Sequence, residues 1–237
     1  MKAILFDLGN ILAHYYRRDE FPDILKQAII EVKKYLSKEN LCHVSEPLIW
    51  RNVKKEDYES SDNRVRPLEE RLSRIFELET LSSDCELFKN MSRCFMKPIF
   101  ERGYLYDEVL PTLKEIKERG VKTAIVSNTS WGSSGYLWRE EISRLGLEEY
   151  IDELVFCRDV GWRKPAREIF QYALEKIKVL PKECIFVGDD PRWDVIGPRT
   201  AGIEPFLVTR SAESKTRMDY KSIHVLNELL DLITSKI

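Results

Sequence analysis

The chain has 237 residues, with 38 Lys and Arg against 40 Asp and Glu, a formal net charge of -2 and an isoelectric point near 6.1. That length suits one large domain or a core carrying an insertion, and it can bury a substantial core without cross-links. The balanced charge argues against a general nucleic-acid binder, and no apolar run approaches the ~18 residues of a membrane span.

The opening Met1-Lys2-Ala3-Ile4-Leu5-Phe6 is too short an apolar stretch for a secretory signal. Five scattered cysteines (Cys42, Cys85, Cys94, Cys157, Cys184) contain no Cys-x-x-Cys pair, so neither a zinc site nor a disulfide framework is indicated. The expectation is a soluble globular protein of a reducing compartment, the cytoplasm.

In chain order, residues 2–6 read as a fully buried parallel strand ending at Asp7. From Phe21 the period becomes helical, with Ile24, Leu25, Ala28, Val32, Tyr35 and Leu36 on one face. Ser45-Glu46-Pro47 starts a second helix, Pro67 a third through Phe76, and Ser83-Asp84 would cap a fourth carrying Leu87, Phe88, Met91 and Phe95. Residues 17–102 therefore read as a helical unit of four packed helices.

After Gly103 helices alternate with strands. A helix over about 107–119 leads to a strand at 121–126, a helix at about 135–145 to a strand at 154–157, and a helix at 166–178 to a strand at 184–187. A strand at 205–208 and a C-terminal helix holding Val225 to Ile233 complete the pattern. Such alternation implies right-handed crossovers and a parallel sheet, with the first strand in the same sheet and the helical unit interrupting the domain. The predicted fold class is therefore α/β, a Rossmann-like three-layer parallel sheet (residues 1–16 and 103–237) with an inserted helical cap (residues 17–102).

Ligands of open parallel sheets bind at the carboxyl ends of the strands, and the polar clusters of this sequence fall there. Asp7 follows the first strand; Ser127-Asn128 ends the second; Lys164-Pro165 precedes a helix; Gly188-Asp189-Asp190 ends another strand, with Asp194 beyond it. One candidate nucleophile, a hydroxyl, an ammonium and several carboxylates would thus meet at one sheet edge. His14 and His43 form no readable pair, and Trp131 and Trp162 beside the second and third clusters read as packing residues.

Four signatures in order, Phe6-Asp7-Leu8-Gly9-Asn10, Ile125-Val126-Ser127-Asn128, Gly161-Trp162-Arg163-Lys164-Pro165 and Val187-Gly188-Asp189-Asp190 with Asp194, resemble those of the haloacid dehalogenase superfamily of hydrolases. The resemblance covers about residues 1–12 and 104–235, and the helical insert falls where that family places its mobile cap. It implies Asp7 as nucleophile, forming an aspartyl-phosphate. It implies Mg²⁺ held by Asp7, Asp189 and the backbone carbonyl of Gly9. Ser127, the backbone N–H of Asn128 and Lys164 would bind the phosphoryl group. Asp194 would orient Lys164 or metal-bound water, and Asp190 is an alternative ligand. The implied partner is a small phosphorylated metabolite rather than a nucleic acid or membrane.

The sequence departs from the family at Gly9. Phosphatases of the family usually carry an aspartate there as general acid and base, dehalogenases usually a tyrosine, and Asn10 replaces the usual following glycine. Three readings stay open: a phosphatase favouring acidic leaving groups, a 2-haloacid dehalogenase, and a phosphate- or partner-binding protein without efficient turnover. The acid-rich fourth signature argues against the second; intact Asp7, Lys164 and Asp189 argue against the third.

Overall fold

In the computed structural model, the described residues are 1–78, 85–210 and 220–234. Among the described residues, eight strands and eleven α-helices form a six-stranded parallel sheet, a separate two-stranded ribbon and the helices around them. The strands are β1 (Ala3–Phe6), β2 (Ala13–His14), β3 (Tyr104–Leu105), β4 (Lys122–Ser127), β5 (Glu153–Phe156), β6 (Cys184–Gly188), β7 (Glu204–Val208) and β8 (Lys221–Ile223). The helices are α1 (Phe21–Lys38), α2 (Glu46–Glu56), α3 (Leu68–Ile75), α4 (Glu86–Phe100), α5 (Val109–Glu118), α6 (Gly135–Arg144), α7 (Cys157–Val160), α8 (Arg167–Ile177), α9 (Pro191–Asp194), α10 (Ile196–Thr200) and α11 (Leu229–Thr234).

The sheet has six strands in the order β5-β4-β1-β6-β7-β8, all parallel. The chain runs outward from β1 through β4 to β5, then crosses back to β6 and continues to β8. The strand order therefore reverses beside β1, where open α/β sheets place their ligands. Register levels the neighbouring ends, since Phe6 lies opposite Ile125 of β4 and Val187 of β6. Asp7, Ser127 and Asp189 therefore leave three adjacent strands at nearly the same height.

Side-chain alternation in β1 divides the core into two layers. Ala3 and Leu5 join the cluster that includes Ile169, Phe170, Ala173 and Ile177 of α8; Ile4 and Phe6 join the one that includes Leu113 and Ile116 of α5. All four β1 residues are buried, which is why the strand reads as a continuous apolar run.

Helices α1 to α4 lie in sequence between β2 and β3. These short strands pair antiparallel, Ala13 opposite Leu105 and His14 opposite Tyr104, so the chain enters and leaves the helical segment side by side. Ile24, Leu25, Ala28, Ile29, Val32 and Leu36 form the buried stripe of α1, packed chiefly on α4. The segment between α2 and α3 meets the sheet-side loops directly. Val65 N–H donates to Gly161 O (3.0 Å) and Arg163 N–H to Asn63 O (2.8 Å). Arg66 O comes so close to Gly132 that a Cβ there would lie 2.0 Å from it.

The expected elements are present with shifted ends. β5 stops at Phe156 and Cys157 opens α7, while α5 begins at Val109. The proposed cap at Ser83-Asp84 lies outside the described residues; α4 begins at Glu86 after Cys85. The β2–β3 ribbon, β8, α9 and α10 had no sequence expectation. All five cysteines are free, and no helix among the described residues is long and apolar enough to cross a membrane.

Candidate active site

Asp7 follows β1, with its N–H bonded to Val187 O at 2.8 Å. Asp7 is only 9% exposed, and its carboxylate has apolar strand behind it and two donors in front. Ser127, last residue of β4, donates to Oδ1 at 2.6 Å, and Lys164 Nζ lies 2.9 Å from the same oxygen. Among the described residues no protein donor reaches Oδ2.

Lys164 is 1% exposed and reaches this point because its backbone is clasped by Asn128. The Asn128 side chain accepts from Lys164 N–H (2.8 Å) and donates to Lys164 O (3.3 Å), a two-point bond between the loops after β4 and before α8. The ammonium also donates to Asp194 Oδ1 at 2.7 Å. Burial alone would lower its pKa, but Asp194 and Asp7 outweigh that and hold it above the ordinary lysine range. Lys164 is therefore a permanent cation.

Asp194 is fully buried in α9, its Oδ2 accepting from the N–H groups of Asp189 and Asp190 at 3.1 Å each. Burial pushes its carboxyl upward against the pull of Lys164. Asp189, just beyond β6, accepts from Asn10 Nδ2 at 3.0 Å. Burial, then the charges of Asp7 and Asp194, push Asp189 up to about 7. Asp190 points to other partners. It caps α9 by accepting from Arg192 N–H at 2.9 Å and pairs with the Arg192 guanidinium at 2.6 Å. Against burial, those bonds hold its carboxyl below the ordinary range.

Ligand oxygens of Asp7, Asp189 and Asp194 all lie within 4.8 Å of one another. Three carboxylates around one ammonium leave a local excess of two negative charges, which adds to burial in raising Asp189. Hard carboxylate oxygens so arranged suit a divalent cation, so the donor set fits the metal the sequence led us to expect. Asp7 and Asp189 have oxygens to offer, whereas both Asp194 oxygens are already bonded.

Two residues of the site were assigned less than they do, or nothing. Asn10 takes a left-handed backbone (φ 59°), which glycine and asparagine tolerate, and uses its amide on Asp189. The Asn128 side chain, rather than only its backbone, organises the site. Neither bond spans a readable sequence interval. Gly9 lies open: a Cβ built there meets nothing within 4 Å. The remaining candidates make other contacts. His14 packs on Tyr104 and Tyr106, Trp131 stacks on Phe95, and Trp162 carries the Arg64 guanidinium 3.7 Å above its ring.

The haloacid dehalogenase-like hydrolase family profile matches residues 1–202. The chain is 28% identical over 246 residues to a ribulose-1,5-bisphosphate 5-phosphatase of Halopiger xanaduensis, covering 98% of this chain and 99% of that one. It is 26% identical over 213 residues to a glyceraldehyde 3-phosphate phosphatase of Methanopyrus kandleri, covering 89% and 84%. The solved 2-haloacid dehalogenase of Pseudomonas syringae superposes over all of both chains with a TM-score of 0.67 at 21% identity, a likeness of fold. This chain belongs to the haloacid dehalogenase-like hydrolases.

Proposed function

We propose that the chain is a Mg²⁺-dependent phosphatase acting on a small phosphorylated metabolite through an aspartyl-phosphate on Asp7. The observation that carries this reading is the cluster of Asp7, Asp189 and Asp194 around the buried Lys164 ammonium. A dehalogenase needs no metal, and for it three carboxylates gathered this closely would be pure cost. The two relatives named as phosphatases of phosphorylated sugars support the same class.

The residues divide the work as follows. Ser127 and Lys164 fix Oδ1 of Asp7 and so orient the carboxylate for attack on phosphorus. The Asp7–phosphorus bond forms as the ester P–O bond breaks, and the leaving oxygen departs with the bonding pair. Water then attacks phosphorus, releases inorganic phosphate and restores the carboxylate. Lys164 stays charged throughout and, with Ser127 and the N–H of Asn128, stabilises the phosphoryl oxygens; a single donor of this kind contributes ~3–4 kcal/mol. When bound by Asp7, Asp189 and the Gly9 carbonyl, Mg²⁺ would neutralise phosphoryl charge as a Lewis acid. Gly9 supplies no proton to the leaving oxygen, which favours substrates whose leaving groups are already acidic. Residues 17–102 would act as a cap over the core of residues 1–16 and 103–237, closing about hinges near residues 15–18 and 101–104, beside the β2–β3 ribbon.

Para-nitrophenyl phosphate turnover tests the reading. It is expected to require Mg²⁺, stop in EDTA and fall by more than about 10³-fold in Asp7→Asn. Release of halide from 2-chloropropionate in EDTA, without phosphatase activity, would overturn it.

A further inference from the structure

Resting on the phosphatase reading, we infer that Arg71 and Arg163 form a seat for a second anionic group of the substrate, which Glu59 fills in its absence. Arg71 projects from α3 and is fully buried, its guanidinium carbon 5.1 Å from the Trp131 ring centre. Arg163 immediately precedes Lys164 and is nearly buried. One oxygen serves both: Glu59 Oε2 lies 2.9 Å from Arg71 Nη2 and 3.2 Å from Arg163 Nη1.

That oxygen is a poor match for two guanidinium forks. Nη2 of Arg71 lacks the alignment of a hydrogen bond, and the Nε atoms of Arg71 and Arg163 have no partner at all. Arg71 has one well-formed bond, from Nη1 to Glu56 O at 3.2 Å. The nearby Glu56 carboxylate is already engaged by Arg66 and Arg74. One buried and one largely buried cation thus share one carboxylate that is one-third exposed. An unmatched buried charge is costly, and buried donors without acceptors add to the cost. A purely structural brace would be expected to satisfy its forks. A planar carboxylate or a phosphate offers the two or three oxygens these forks want.

Trp131 lies four residues beyond Ser127, and Arg163 is joined to Lys164, so the seat and the catalytic groups are carried by the same two loops, after β4 and before α8. Glu59 sits on the segment between α2 and α3, outside any helix, where its carboxylate can yield to the incoming anion. The substrate class is then a phosphate ester bearing a second oxyanion, either carboxylate or phosphate.

The test compares kcat and KM for 3-phosphoglycerate, fructose 1,6-bisphosphate and glycerol 3-phosphate, alkyl esters with a distal carboxylate, a distal phosphate and neither. The wild type is expected to prefer one of the first two over the third by about tenfold or more in kcat/KM; which one identifies the anion. Arg163→Gln is expected to remove that preference, mainly through KM. Glu59→Gln, which deletes the competing charge and leaves both arginines, is expected to lower KM for the preferred substrate several-fold. Equal losses on all three esters in Arg163→Gln, an unchanged KM in Glu59→Gln, or a wild type without preference would each overturn the seat. Turnover of para-nitrophenyl phosphate without any preference removes the seat alone; no phosphate ester turned over removes the phosphatase reading and the seat together.

Discussion

A Cβ added at Gly9 meets no atom within 4 Å, so a side chain can start there without a clash at its first carbon. The consequence is chemical rather than structural. Departure of an alkoxide needs a proton, whereas a nitrophenolate leaves without one, and a placed general acid typically contributes 10²–10⁴-fold. Gly9→Asp is therefore expected to raise kcat on glycerol 3-phosphate by about 10²-fold and on para-nitrophenyl phosphate by much less. Steady-state kinetics on the two esters check it, and equal gains would show that proton supply is not what Gly9 lacks. Asn10 next door explains why the position after it tolerates a departure from glycine. Its left-handed backbone suits asparagine, and its amide steadies Asp189.

Between β6 and α9 the backbone turns within a few residues, and Gly188 is the joint. A Cβ at Gly188 would sit 2.3 Å from both Cβ and Cγ of Asp194, whose side chain is fully enclosed and cannot swing aside. Gly188→Ala must move α9 away from the sheet, and Asp194 carries Lys164 with it through their 2.7 Å bond. Overpacking of this kind costs typically 1–3 kcal/mol, so a drop of several degrees in Tm is expected together with a larger proportional loss of kcat. Loss of Tm with kcat intact would show that Asp194 does not position Lys164.

This joint also marks the limit of what the sequence disclosed. β1, β4 and β6 were legible because a buried strand leaves a continuous apolar run; Asp7, Ser127 and Asp189 stand at the ends of such runs, and Lys164 stands with Pro165 just before a helix. Asp194 was placed by its motif, but α9 has four residues and no period to read. The ribbon of β2 and β3 has two residues per strand and is defined by pairing across some ninety positions. Asn128 clasps Lys164 thirty-six residues away. Contacts of that range are products of the fold and leave no local pattern.

At the scale of the whole molecule, the sheet's carboxyl edge gathers more negative charge than it neutralises, and this ties the stability of the fold to pH and metal. Asp189 titrates near 7 in the folded chain, against ~3.9 for an ordinary aspartate. Between those values the folded state holds a proton the unfolded state has released, so protonation stabilises the fold at low pH. The benefit fades as pH rises through that window. Above about 7 the ionised group is a burden on the metal-free fold.

Asp189→Asn lacks that titration. In EDTA its Tm is expected to match the wild type near pH 4 and to exceed it by several degrees at pH 8, on the order of 1–2 kcal/mol. Mg²⁺ should reverse the order at pH 8, because ligand binding stabilises the wild type and the amide removes one of its carboxylates. Calorimetric scans across pH 4–8 with and without Mg²⁺ decide the matter. A constant difference between the two proteins at every pH would mean that the charge at this edge is balanced by something other than a proton or a metal ion.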